Sequence, residues 1–154
     1  MRILKISVFI FFVIQSVISY AQLYPIGFGY PIDKKPVITG NYGEIRPNHF
    51  HAGLDFSTDA ILNLPIKSVA DGYVSRIKIS SVGYGRVLYI THGNGYVSVY
   101  AHQKKYADKI DSYAKQQQRK QQKNEIELFP KPNELPVKKD EIIGYTGRKI
   151  GDTD

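Results

Sequence analysis

At 154 residues the chain is long enough for one domain with a real core and too short for two comfortable ones. It has no cysteine, so disulfides and thiolate metal sites are excluded, and any metal must sit on His, Asp or Glu. The net charge of +7 suits an anionic surface such as a cell wall or lipid headgroups. Nucleic acid is not an expected partner, because no recognised motif for it appears and the excess positive charge is concentrated in one helix-like segment.

Residues 1–21 read as a secretory signal peptide. Arg2 and Lys5 give a basic start, Ile6 to Ile14 is apolar apart from Ser7, and Ser19-Tyr20-Ala21 is a small-x-small cleavage site before Gln22. The apolar run is shorter than the roughly 20 residues of a spanning helix. The chain is therefore expected to be exported, to the periplasm, cell envelope or extracellular space. It meets a membrane only if the signal stays uncleaved.

From there the sequence predicts a mainly β, antiparallel fold, a sandwich or flattened β-sheet groove with one helical insertion. Pro36 to Asn41 reads as a short strand broken at Gly40. Ile66 to Ser80 reads as two strands around a turn at Asp71-Gly72, with a slip of register near Arg76 that suggests a bulge. Arg86–Thr91 and Tyr96–His102 form a predicted hairpin. Asn94-Gly95 is the favoured pair for its tight turn, in which both central residues take positive φ. His102 then falls at the end of the second strand, on the face of Tyr100, Ser98 and Tyr96. Lys104 to Lys123 holds nine charged residues and five glutamines, with Tyr106, Ile110 and Tyr113 at helical spacing. It is expected to be a solvated helix laid on the sheet by one narrow apolar stripe. Pro130, Pro132 and Pro136 mark a loop, and Glu141 to Thr146 a last strand. Gly27 to Pro31 is either an arm across the groove or a first strand.

The chemistry is concentrated in Asn48-His49-Phe50-His51-Ala52-Gly53-Leu54-Asp55. On a straight strand His51 and Asp55 would lie about 13 Å apart, from a rise of roughly 3.3 Å per residue. Zinc–ligand bonds are only about 2 Å long, so the backbone must bend for both to reach one ion, and Gly53 sits midway. His49 and His51 also share a strand face. Taken alone, such a spacing is more often an ordinary polar surface than a site.

The surroundings are more specific. Gly40-Asn-Tyr-Gly-Glu-Ile-Arg46-Pro47 followed by His51-Ala-Gly-Leu-Asp55 resembles the first signature of the lysostaphin/LytM-type zinc endopeptidases. Val69 to Val74, Gly85 to His102 with its Tyr-x-His, and Val137 to Gly147 resemble further segments of that family, in order. The resemblance implies a β-sheet groove, one Zn2+, and hydrolysis of peptide cross-links in bacterial peptidoglycan, whose peptides are the expected partner. It makes His51 and Asp55 the first two metal ligands and His102 the groove histidine that assists catalysis. His49 and His92 match no ligand position, and His92 is expected in a turn.

In that family the third ligand lies in a final His-x-His, whose first member is the usual base. By this resemblance it would fall beyond Asp154, so residues 22–154 are expected to be an incomplete LytM-type peptidase domain, with a helical/loop insertion at 104–136, and this form to lack activity. Asp140 stands where the family usually has glycine, a position open to Asp because it enters left-handed turns readily. Two alternatives stay open. His102 could swing in as a third ligand, or the chain could be a non-catalytic cell-wall-binding or hydrolase-activating LytM-like module. Oligomeric state is not legible.

Overall fold

Alternating apolar side chains build the main sheet, because successive residues of a strand face opposite sides. In the computed structural model, which describes residues 27–147 apart from 60 and 94, the chain forms one curled antiparallel sheet of seven strands and a separate two-stranded ribbon. The expected signal peptide at 1–21 lies outside the described residues. The strands are β1 (Ile38–Gly40), β2 (Asp55–Phe56), β3 (Pro65–Lys67), β4 (Gly72–Ile79), β5 (Arg86–His92), β6 (Val97–Tyr106), β7 (Ile126–Leu128), β8 (Pro136–Val137) and β9 (Ile142–Thr146), with helix α1 (Asp108–Gln121) after β6. β1 and β2 make the ribbon. The sheet runs β3-β9-β6-β5-β4-β7, and β8 also pairs with β4. This is the mainly β, antiparallel architecture with one helix that the sequence predicts. Among the described residues no helix is long and apolar enough to cross a membrane.

Two bulges set which side chains reach the core. Against β5, the pairing of β4 steps from Val74↔Ile90 to Arg76↔Tyr89, so Ser75 is the extra residue. Val74 and Ile77, three apart, are both fully buried as a result, as the expected slip near Arg76 requires. On β6 the pairing steps from Leu88↔Tyr100 to Arg86↔Gln103, which places one extra residue on β6, and His102 takes φ +55. Tyr100 and Gln103 are both buried across this bulge, and Gln103 Nε2 donates to the Tyr100 carbonyl at 3.0 Å. His102 therefore sits inside a continuous strand and not at its end.

The expected two-residue turn of the β5–β6 hairpin is a three-residue connection. His92 N–H donates to the Tyr96 carbonyl at 2.9 Å, Gly95 N–H donates to the His92 carbonyl at 3.0 Å, and Gly95 takes φ +82. Asn94 lies outside the described residues. His92 is the last residue of β5 and not a turn residue. It is buried, with Nδ1 2.9 Å from the Asp71 carbonyl and Nε2 2.9 Å from Ser98 Oγ. Since a carbonyl only accepts, Nδ1 carries a proton toward Asp71.

The two expected strands within Ile66 to Ser80 form as β3 and β4, with β3 pairing to β9 and β4 to β5. Two further expectations shift. Lys104, Lys105 and Tyr106 end β6 and do not open the helix, because Gln103 to Tyr106 pair with β9. Tyr106 is buried there, its hydroxyl donating to the Lys78 carbonyl at 2.9 Å, and burial pushes its phenol well above the usual range. The helix attaches instead through Ile110 and Ala114, with Tyr113 packed at the margin. Its acidic first turn and basic last turn suit the helix dipole. Finally, Gly27 to Pro31 does not form a first strand. Gly29 N–H donates to the Val69 carbonyl at 2.7 Å, and Phe28 packs on the His92 and Tyr96 rings.

Candidate metal centre

The residues from β1 into β2 fold back on themselves and carry His51 and Asp55. Gly43 N–H donates to the His51 carbonyl at 2.7 Å and His51 N–H donates to the Glu44 carbonyl at 2.8 Å. Arg46 N–H closes the tip on the His49 carbonyl at 2.9 Å, helped by Gly43 at φ +78. β2 then pairs with β1 in the register Gly40↔Asp55 and Ile38↔Phe56.

This folding brings His51 and Asp55 together. His51 Nε2 stands 3.2 Å from Asp55 Oδ1. The other ring nitrogen, Nδ1, is 2.9 Å from the Asn41 carbonyl, which can only accept, so Nδ1 carries the proton and Nε2 of a neutral ring carries a lone pair. That lone pair and a carboxylate oxygen face each other. Two acceptors so placed call for a proton or a cation between them. Bonds of about 2.0–2.1 Å at a tetrahedral angle would hold two donors about 3.3 Å apart, so the observed separation fits two ligands of one zinc-sized ion. A histidine whose second nitrogen is fixed by a carbonyl is also the usual arrangement for a metal-bound imidazole.

The chain does bend between the two donors, as the spacing demands, but Gly53 is not required for it. Gly53 lies outside the left-handed region, and a Cβ there would touch nothing within 4 Å. The glycine that matters is Gly40, where a Cβ would come within 2.5 Å of both Asp55 Oδ2 and Arg46 Nη2. Arg46 Nη2 donates to Asp55 Oδ2 at 2.9 Å and to Glu44 Oε2 at 3.0 Å. Spacing singled out neither Arg46 nor the Asn41 carbonyl. The available signal for Arg46 was a lone cation in a turn beside two carboxylates.

His102 lies on β6 with its ring edge-on to Tyr84, centroids 5.9 Å apart. His49 Nδ1 meets Asn48 Oδ1 at 2.6 Å, at the tip of the turn. Among the described residues no three His, Asp or Glu side chains converge on one point, so His51 and Asp55 stand as a pair.

The model of peptidase family M23 matches residues 49–124, from His49 through His51, Asp55 and His102 to just past α1. This segment is similar to peptidase family M23. Searches of curated proteins and of solved structures found no match. Family M23 is one of metallopeptidases acting on peptidoglycan-type substrates, which makes peptide-bond hydrolysis the class of chemistry to which the matched segment points.

Proposed function

We propose that this chain is an M23-type exported zinc metalloendopeptidase that hydrolyses peptide cross-links of bacterial peptidoglycan. The observation that carries the reading is the 3.2 Å approach of His51 Nε2 to Asp55 Oδ1 within the matched segment. His51 and Asp55 would hold the ion, with the Asn41 carbonyl fixing the imidazole. When bound, zinc lowers the pKa of its water to about 7 and polarises a carbonyl. His102 is assigned to the substrate side, where its N–H would hold the oxygen that gains charge as the peptide bond breaks. A hydrolytic site uses three protein ligands, of which His51 and Asp55 would supply two. Export rests on the signal-like residues 1–21, and the basic charge suits an anionic wall.

The test is zinc content after dialysis, together with release of soluble peptides from purified peptidoglycan. The reading expects zinc that is lost in His51→Ala and Asp55→Ala. Zinc retention unchanged by both substitutions overturns the metal centre. Zinc bound at His51 and Asp55 without peptide release would instead favour a wall-binding or hydrolase-activating module.

A further inference from the structure

We propose that Arg46 is a positioning residue that makes Asp55 a one-oxygen ligand and so biases the centre toward small, four-coordinate ions; this rests on the metal reading above. The two oxygens of Asp55 are divided. Oδ2 accepts from Arg46 Nη2 at 2.9 Å, while Oδ1 faces His51 Nε2 at 3.2 Å. With Oδ2 taken, a cation beside His51 meets only Oδ1. Monodentate carboxylate ligation suits tetrahedral zinc, whereas calcium takes six to eight oxygens and often both of a carboxylate.

The surroundings hold this division in place. Arg46 is delivered from a fixed backbone, its N–H bound to the His49 carbonyl. Glu44 Oε2 takes the same Nη2 at 3.0 Å and also accepts the Asn41 N–H at 3.2 Å, which ties the guanidinium to the strand entering the turn. Beneath the contact, Gly40 leaves no space for a methyl group, so the carboxylate and guanidinium rest directly on the β1 backbone. Arg46 is the least exposed of the three charged side chains, at 24% against 43% for Asp55 and 45% for Glu44. Among the described residues its buried Nε has no hydrogen-bond partner, an unmet donor that costs stability.

The experiment uses the full chain and zinc itself, with affinity read by competition against a chromophoric chelator and coordination number by the visible spectrum of the cobalt-loaded protein. Arg46→Ala is expected to weaken zinc about 10–100-fold, the usual consequence of removing a partner that orients a ligand. It should also shift the cobalt spectrum toward higher coordination and narrow the preference for zinc over calcium. Gly40→Ala disturbs the same contact with every charge kept, and is expected to do the same. Arg46→Lys, which restores a cation for Oδ2, should recover most of the affinity. Gly40→Ala and Arg46→Lys carry the test should Arg46→Ala not fold. Wild-type affinity and an unchanged cobalt spectrum in Arg46→Ala or Gly40→Ala overturn the proposal. His51→Ala and Asp55→Ala are the controls: if they too keep zinc, the metal centre itself is wrong, and if only they lose it, Arg46 alone is misassigned.

Discussion

Asp71 Oδ1 accepts the backbone N–H of Lys139 at 2.7 Å, a bond that ties the turn between β3 and β4 to the turn before β9. That N–H, with the Lys138 ammonium second, holds the Asp71 carboxyl below the usual aspartate range. Asp140, in the same turn, takes φ +65, the left-handed conformation expected at a position where glycine is usual.

A depressed folded pKa stabilises the protein above the unfolded value of about 3.9, and the contribution is lost as pH falls through the folded value. Asp71→Asn should therefore lower the urea midpoint at pH 7. The gap between variant and parent should close progressively below about pH 4. A gap that persists unchanged at pH 2 would show that the charge of Asp71 does not matter.

Gly72 opens β4 directly against β5, where a Cβ would collide with the Thr91 carbonyl and press on His92 Nδ1 and Ile90. A backbone carbonyl in a paired strand cannot step aside. Gly72→Ala is expected to destabilise by about 1–3 kcal/mol, read from urea unfolding. Gly53→Ala, with open space around it, should move the midpoint little.

His92 joins β4 to the hairpin through the Asp71 carbonyl and Ser98, and Tyr100 extends the chain of bonds to the Val69 N–H at 2.9 Å. His92→Leu keeps the bulk and abandons two part-buried hydrogen bonds. Equilibrium unfolding should show a loss of about 1–3 kcal/mol. No change would mean that water replaces both bonds.

His102→Ala separates two roles for that residue. As a group that steadies the substrate it should leave zinc content intact while peptide release falls by about 10²–10³. Loss of zinc in this variant would make His102 a ligand instead.

Local signals were the legible ones. The β5–β6 hairpin, the slip at Arg76 and the strand before Thr146 follow from alternation and turn residues, which act within a few positions. Element ends were not legible, because distant pairing fixes them. β6 keeps Lys104 to Tyr106 from the helix because β9 lies alongside, and no helical spacing could report that. At the site, the convergence of His51 and Asp55 was readable from the need for a bend, but the wrong glycine was singled out. Gly53 is close in sequence to both donors, whereas Gly40 touches Asp55 only through strand pairing. Arg46 escaped for the same reason: its partner lies across a turn, and charge spacing alone does not say which carboxylate an arginine will meet.

Among the described residues the ribbon of β1 and β2 shares no strand pairing with the seven-stranded sheet. Unzipping it would draw the imidazole and the carboxylate apart while the packed interior stays assembled. An ion seated between them would thus act as a rivet on that ribbon, and chelation should bare the 41–51 segment to proteases well before the protein as a whole melts.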